Sequence, residues 1–137
     1  MSNLIVVVVI VIAAYVIWKL IQQGSNSVFA TTPRIQPSQY MSEYVEPNAS
    51  HLLLDVRTPQ EFASGNIAGA ANIPLQVLPQ QMRDIPRDRP IIIYCRSGNR
   101  SRTAVQTLAS AGYNDVYDLG GIIAWQRNGL PVQAPAY

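Results

Sequence analysis

The chain is expected to be an α/β protein, a parallel sheet covered by helices on both faces and preceded by one transmembrane helix. Three observations point there. After Arg34, short apolar runs of strand length alternate with amphipathic stretches, the pattern of a parallel sheet that buries both faces under helices. Before it, Leu4 to Trp18 is an unbroken apolar run. Within the alternating part, the strand-like Ile91-Ile92-Ile93-Tyr94 breaks into the loop Cys95-Arg96-Ser97-Gly98-Asn99-Arg100, which leads into a helix-forming stretch.

The N-terminal run continues through Lys19 to Leu20 and Ile21. As a helix, residues 4–21 would be about 27 Å long, close to the thickness of a bilayer's hydrocarbon core. Trp18 and Lys19 suit an interface, an aromatic ring at headgroup level and an amine that snorkels outward. A cleavable signal peptide is the rival. It would open on basic residues and carry its cleavage site just behind the apolar core. Met1-Ser2-Asn3 has no basic side chain, and Val28-Phe29-Ala30 lies about a dozen residues beyond the apolar core, farther than cleavage sites usually sit. The N-terminal flank lacks Lys and Arg, whereas Lys19 and Arg34 follow the run, so the charge rule puts the rest of the chain in the cytoplasm. The single cysteine agrees, because a working thiol survives best in a reducing compartment. The expectation is a single-pass membrane protein with its catalytic part cytoplasmic.

Residues 22–33 read as a flexible linker, polar at Gln22-Gln23-Gly24-Ser25-Asn26-Ser27 and without periodicity to Pro33. Residues 34–137 form the domain, long enough for one core. Pro37 opens a helix reaching about Val45. Leu52 to Val56 is a buried strand, and Thr58-Pro59-Gln60-Glu61 starts a helix with a capping Thr, an early Pro and a nearby acid. Ala70 to Ile73 is a short strand closed by Pro74, and a helix covers Leu75 to Met82. After the strand ending at Cys95, Ser101 to Ser110 repeats apolar residues at helical spacing, and Gly112 ends it. Val116 to Leu119 is the last strand and Ile122 to Arg127 the final helix.

Charge and composition exclude several functions. The +2 of the full chain, less Lys19, leaves the domain near +1, too little for nucleic acid or a polybasic membrane patch. His51 is the only histidine and has no Cys or acidic cluster around it, so no metal site is expected, and no motif calls for a cofactor. Trp125 reads as core.

Cys95 is the candidate nucleophile. A strand end fixes its sulfur, the Gly-containing loop turns backbone N–H groups toward it, and the next helix aims its positive end the same way. Arg96 and Arg100 flank the loop with forks suited to an oxyanion.

Four strings together carry a family resemblance: Asp55-Val56-Arg57-Thr58-Pro59-Gln60-Glu61-Phe62, Gly65 to Pro74, Tyr94-Cys95-Arg96-Ser97-Gly98-Asn99-Arg100-Ser101, and Leu119-Gly120-Gly121-Ile122-Ile123-Ala124-Trp125. In this order and spacing they closely resemble the rhodanese domain. The resemblance implies a doubly wound sheet whose loop cradles a cysteine persulfide, and transfer of sulfane sulfur from a donor such as thiosulfate to cyanide or a thiol. It implies Cys95 as the catalytic residue, with Arg96, Ser97, Gly98, Asn99 and Arg100 holding the substrate and Arg100 capturing the donor. It makes Asp55, Arg57 and Glu61 ion pairs that scaffold the loop. Asn66 departs from the family, where histidine is common, which affects local packing rather than catalysis. A membrane-tethered version would exchange sulfur with another membrane protein.

Two other functions remain beside it. A Cys-dependent phosphatase or arsenate reductase also ends its loop in arginine, but with five residues between Cys and Arg, whereas here only Arg96, Ser97, Gly98 and Asn99 intervene. A non-enzymatic membrane-tethered docking module would not need Cys95.

Overall fold

Runs of large apolar residues form β1 Leu52–Asp55, β3 Ile91–Cys95 and the start of β4 Val116–Gly121, and a two-residue strand, β2 Ala71–Asn72, pairs beside β1. All pair in parallel in the order β2-β1-β3-β4. The computed structural model of the protein describes residues 2–23 and 32–134, in two compact units, Met1–Thr31 and Thr32–Tyr137.

The sheet is covered on both faces, as expected. Because side chains alternate along a strand, Leu54, Ile91, Ile93 and Cys95 enter one core with Leu78, Ala104, Val105 and Leu108. Leu53, Ile92 and Tyr94 enter the other with Tyr40, Ile122 and Trp125. The helices are α2 Pro37–Tyr40, which widens into a π-helical stretch Met41–Val45, then α3 Pro59–Ser64, α4 Leu78–Gln81, α5 Asn99–Ser110 and α6 Ile122–Arg127. β3 is buried at all five positions and lies at the centre, so its C-terminal end is held from both sides.

Several boundaries differ from the sequence expectation. The helix expected over Leu75 to Met82 is a relay of a 3-10 turn (Leu75–Val77), α4 and a second 3-10 turn (Met82–Asp84), because Pro79 has no N–H to continue a helix from upstream. Helix α5 starts two residues early, at Asn99, with Gly98 as its N-cap. The last strand runs on to Gly121 rather than stopping at Leu119. Opposite Ile93 and Tyr94 stand Asp118 and Gly120, so Leu119 is an extra residue in β4 and bends its end toward the Cys95 loop.

The N-terminal unit carries a correction. Helix α1, Ser2–Gln23, places Leu4 to Ile12 and Tyr15 to Trp18 in the open. Among the described residues no helix is long and apolar enough to cross a membrane. The transmembrane helix expected over 4–21 is therefore not supported, and the side chains of its last two residues, Leu20 and Ile21, lie outside the described part. Of the expected linker 22–33, residues 24–31 lie outside the described residues, and Gln22 and Gln23 belong to α1. At its far end Pro33 accepts a hydrogen bond from the Asp118 N–H at 2.8 Å, and Arg34 bridges to Asp118.

Candidate active site

Cys95 is the last residue of β3 and is 1% exposed. Its Sγ accepts a hydrogen bond from the Gly98 N–H at 3.0 Å. Gly98 makes this turn at φ 103°, in the left-handed region, which a side chain would strain. A thiolate at Sγ is stabilised by this amide and by the N-terminal end of α5, which begins one residue later.

The loop sits on β4. A Cβ on Gly121 would stand 2.4 Å from the Arg96 carbonyl oxygen and 2.7 Å from Ser97 Cα, so only glycine lets the two backbones touch. The Arg96 carbonyl also accepts the Ile123 N–H from the start of α6 at 3.3 Å. That contact is the physical reason for Gly121, whereas Gly120 before it takes φ 87°, in the left-handed region.

Two ion pairs brace the loop from the other side. Thr58 and Glu61 form a reciprocal capping box at the start of α3. Glu61 then takes both nitrogens of the Arg100 fork, at 2.7 and 2.8 Å. The Arg100 guanidinium, with help from the Thr58 cap, holds the Glu61 carboxyl at about 2 against the pull of partial burial. Beneath them, buried Arg57 binds both oxygens of buried Asp55 and reaches the Gly65 carbonyl at 2.7 Å. Asn72 donates to the carbonyls of Asp55 and Arg57, tying the strand end down.

The six loop residues thus stand in different situations. Cys95 and Gly98 are buried, Arg96, Ser97 and Asn99 are exposed, and Arg100 is half-buried against Glu61. Arg96 lines a cleft of about 240 Å³ with Arg57, Glu61, Gly65, Ile122 and Gln126. Asp55 and Arg57 pair with each other, and Glu61 pairs across to the loop. His51 bonds Tyr40 and the Ala49 carbonyl, and Trp125 is core, 3% exposed. Among the described residues no cluster is suited to a metal ion. Asn66, where the family commonly has histidine, is buried and fully engaged with Phe62 and Gln133.

Sequence reasoning missed two residues under the sulfur. Ser101 Oγ lies 3.6 Å from Sγ and donates to Asp118 Oδ1 at 2.6 Å. Both are buried. The available signal was polarity in the wrong place: a hydroxyl on the apolar face of α5 and an acid inside a strand.

Comparison with known proteins agrees with this geometry. A Sulfurtransferase of Allochromatium vinosum is 46% identical over 99 residues, covering 72% of this chain and 92% of its own length. Thiosulfate sulfurtransferase 16, chloroplastic, of Arabidopsis thaliana is 39% identical over 99 residues, covering 63% and 82%. The crystal structure of a rhodanese-related protein from Thermoplasma volcanium superposes with a TM-score of 0.66 at 35% identity, over 75% of this chain and 99% of that one. Residues 38–128 match the family model of the Rhodanese-like domain, and the chain belongs to that family.

Proposed function

We propose that the protein is a sulfurtransferase that carries sulfane sulfur as a Cys95 persulfide, from an anionic donor such as thiosulfate to a thiol or cyanide. The observation that carries this reading is the Gly98 N–H held 3.0 Å from a buried Sγ at a helix start. It stabilises an anion at that spot, and both the thiolate and the persulfide are anions. The thiolate attacks the outer sulfur of thiosulfate, a new S–S bond forms, the donor's S–S bond breaks and sulfite leaves with the electron pair. An acceptor nucleophile then attacks the terminal sulfur, and Cys95 departs as thiolate. The names of the Allochromatium and Arabidopsis relatives support the chemistry, and the second supports thiosulfate as donor.

The test is intact mass of the protein before and after thiosulfate. The expected result is one added sulfur atom, lost on treatment with cyanide or a reductant. No adduct with any sulfane donor, together with cleavage of a phosphate ester, would instead favour the phosphatase or arsenate reductase reading. The four-residue spacing between Cys95 and Arg100 speaks against that reading.

We further propose that α1 rests against lipid in the cell through its exposed apolar residues, on the cytoplasmic side, and that its sulfur partner is found at the membrane. Leu4 to Ile12 stand in the open, and Cys95 is a free thiol suited to a reducing compartment. Retention in the membrane fraction after a high-salt wash is expected, because apolar contact is not screened by salt. Release at high salt alone would overturn it.

A further inference from the structure

Under Cys95 lies a carboxylate with no task in the scheme above. Asp118, inside β4, is 2% exposed, and among the described residues no cationic side chain forms an ion pair with it. Its Oδ1 is held by the Gly120 N–H at 2.8 Å and the Ser101 hydroxyl at 2.6 Å. Burying a carboxylate without a counter-charge is expensive. Ser101 is fully buried on the face of α5 that carries Ala104, Val105 and Leu108, and its Oγ lies 3.6 Å from Cys95 Sγ. A hydroxyl has one proton, and at 2.6 Å that proton belongs to the Asp118 contact. The serine oxygen therefore turns a lone pair toward the sulfur, where a thiol S–H is the donor.

We propose that Ser101 and Asp118 form a buried proton relay for Cys95, an inference that rests on Cys95 being the sulfur carrier. The S–H proton passes to Ser101 Oγ as the Ser101 proton passes to Asp118 Oδ1. This leaves a thiolate that accepts hydrogen bonds from Ser101 and Gly98, and a neutral Asp118 carboxyl. The thiolate electron pair then forms the S–S bond with the donor's outer sulfur, and the donor's S–S bond breaks onto the leaving group. When the acceptor takes the sulfur, the S–S pair returns to Sγ and the proton returns along the same path. The buried site thus holds one negative charge at every stage, never two. Ser101 touches the reacting sulfur. Asp118 acts through it, as a positioning residue.

The other charged and titratable groups around the pair are accounted for. Arg100 of α5 is tied to Glu61 of α3, Asp55 and Arg57 after β1 bind each other, and Arg96 lies in the loop. The Arg34 guanidinium lies against Gly120, and Tyr94 of β3 is pushed above its usual range by burial. Arg100 holds Glu61 at about 2, and Arg57, Arg100 and Tyr94 are raised above their usual values, so these four keep their charge state between about pH 6 and 8. A profile read in that window reports Cys95 and Asp118.

The experiment measures the rate at which iodoacetamide alkylates Cys95, by intact mass, on the full chain from about pH 6 to 8. In the wild type the proton stays inside the protein, so the rate is expected to change less than about threefold over that range. Ser101→Ala and Asp118→Asn must release the proton to solvent, so each is expected to climb about tenfold per pH unit and to start at least about tenfold below wild type at the acid end. Equal slopes in all three proteins would overturn the relay. So would a faster Asp118→Asn, which would mean that the carboxylate only repels the thiolate. If Asp118→Asn does not fold, Ser101→Ala carries the same comparison. Thiosulfate added to separate, unalkylated portions of the same proteins separates the two readings: a flat wild-type profile without a sulfur adduct keeps the relay and sinks the sulfurtransferase, and an adduct with equal slopes does the reverse.

Discussion

Arg100 and Glu61 meet fork to fork, with nitrogen–oxygen distances of 2.7 and 2.8 Å, and so join the first turn of α5 to the first turn of α3. The same carboxylate closes the capping box with Thr58, so one side chain fixes a helix start and an active-site arginine. Glu61 is only 28% exposed, which leaves the pair partly shielded from water.

The pair makes stability depend on acid. Glu61 titrates at about 2 in the folded protein against an ordinary 4.5, so it contributes stability that is complete above about 4.5 and is lost as pH falls toward 2. Allowing for screening, the contribution is about 1–2 kcal/mol. Urea unfolding of the wild type should lose that amount over this window beyond what Glu61→Gln loses. Parallel losses in the two proteins would show that the pair adds nothing.

Cys95→Ser is expected to end sulfur transfer with the fold intact. The change is nearly isosteric, and a serine hydroxyl stays protonated at neutral pH and is a far weaker nucleophile toward sulfur than a thiolate. The Gly98 N–H keeps an acceptor. Thiosulfate turnover near the wild-type rate would remove Cys95 from the reaction.

Much of this site could be read from the chain, because its logic is local. A buried strand, a glycine loop and a helix start are consecutive in sequence, and they place Cys95 at the end of β3 as the periodicity indicates. What could not be read depends on contacts between distant segments. Glu61 lies 39 residues from Arg100, and Asp118 lies 17 from Ser101. Nothing in either local sequence says which acid meets which donor. The bulge at Leu119 was equally hidden, since it arises from register between β3 and β4. The apolar run at the start predicts a long helix, and α1 is one, yet among the described residues no helix is long and apolar enough to cross a membrane.

Gly121→Ala tests the backbone contact under the loop. The new Cβ would stand 2.4 Å from the Arg96 oxygen, and backbone atoms cannot swing aside as a side chain can. The loop must move, at a cost of roughly 1–3 kcal/mol. Thermal unfolding should drop accordingly, and Cys95 alkylation at neutral pH should slow as the Gly98 N–H loses its aim. An unchanged melting temperature would mean that the loop is soft enough to yield.

The two loop arginines are expected to separate by role. Arg100 has its fork filled by Glu61, whereas Arg96 is exposed on the wall of the 240 Å³ cleft and forms no ion pair among the described residues. A dianionic donor entering the cleft finds Arg96 available at once, and gains Arg100 only by displacing Glu61. Arg96→Ala should therefore raise the KM for thiosulfate by roughly 10- to 100-fold with a smaller change in kcat, the loss of one charge-assisted hydrogen bond. Arg100→Ala should lower stability by about 1–2 kcal/mol, because it strands Glu61 at the start of α3. Glu61→Gln gives the decisive comparison. By loosening the clamp it should lower the KM for thiosulfate if Arg100 also serves the donor, and leave it unchanged if Arg100 only braces the loop. A normal KM in Arg96→Ala together with a raised one in Arg100→Ala would transfer donor capture to Arg100.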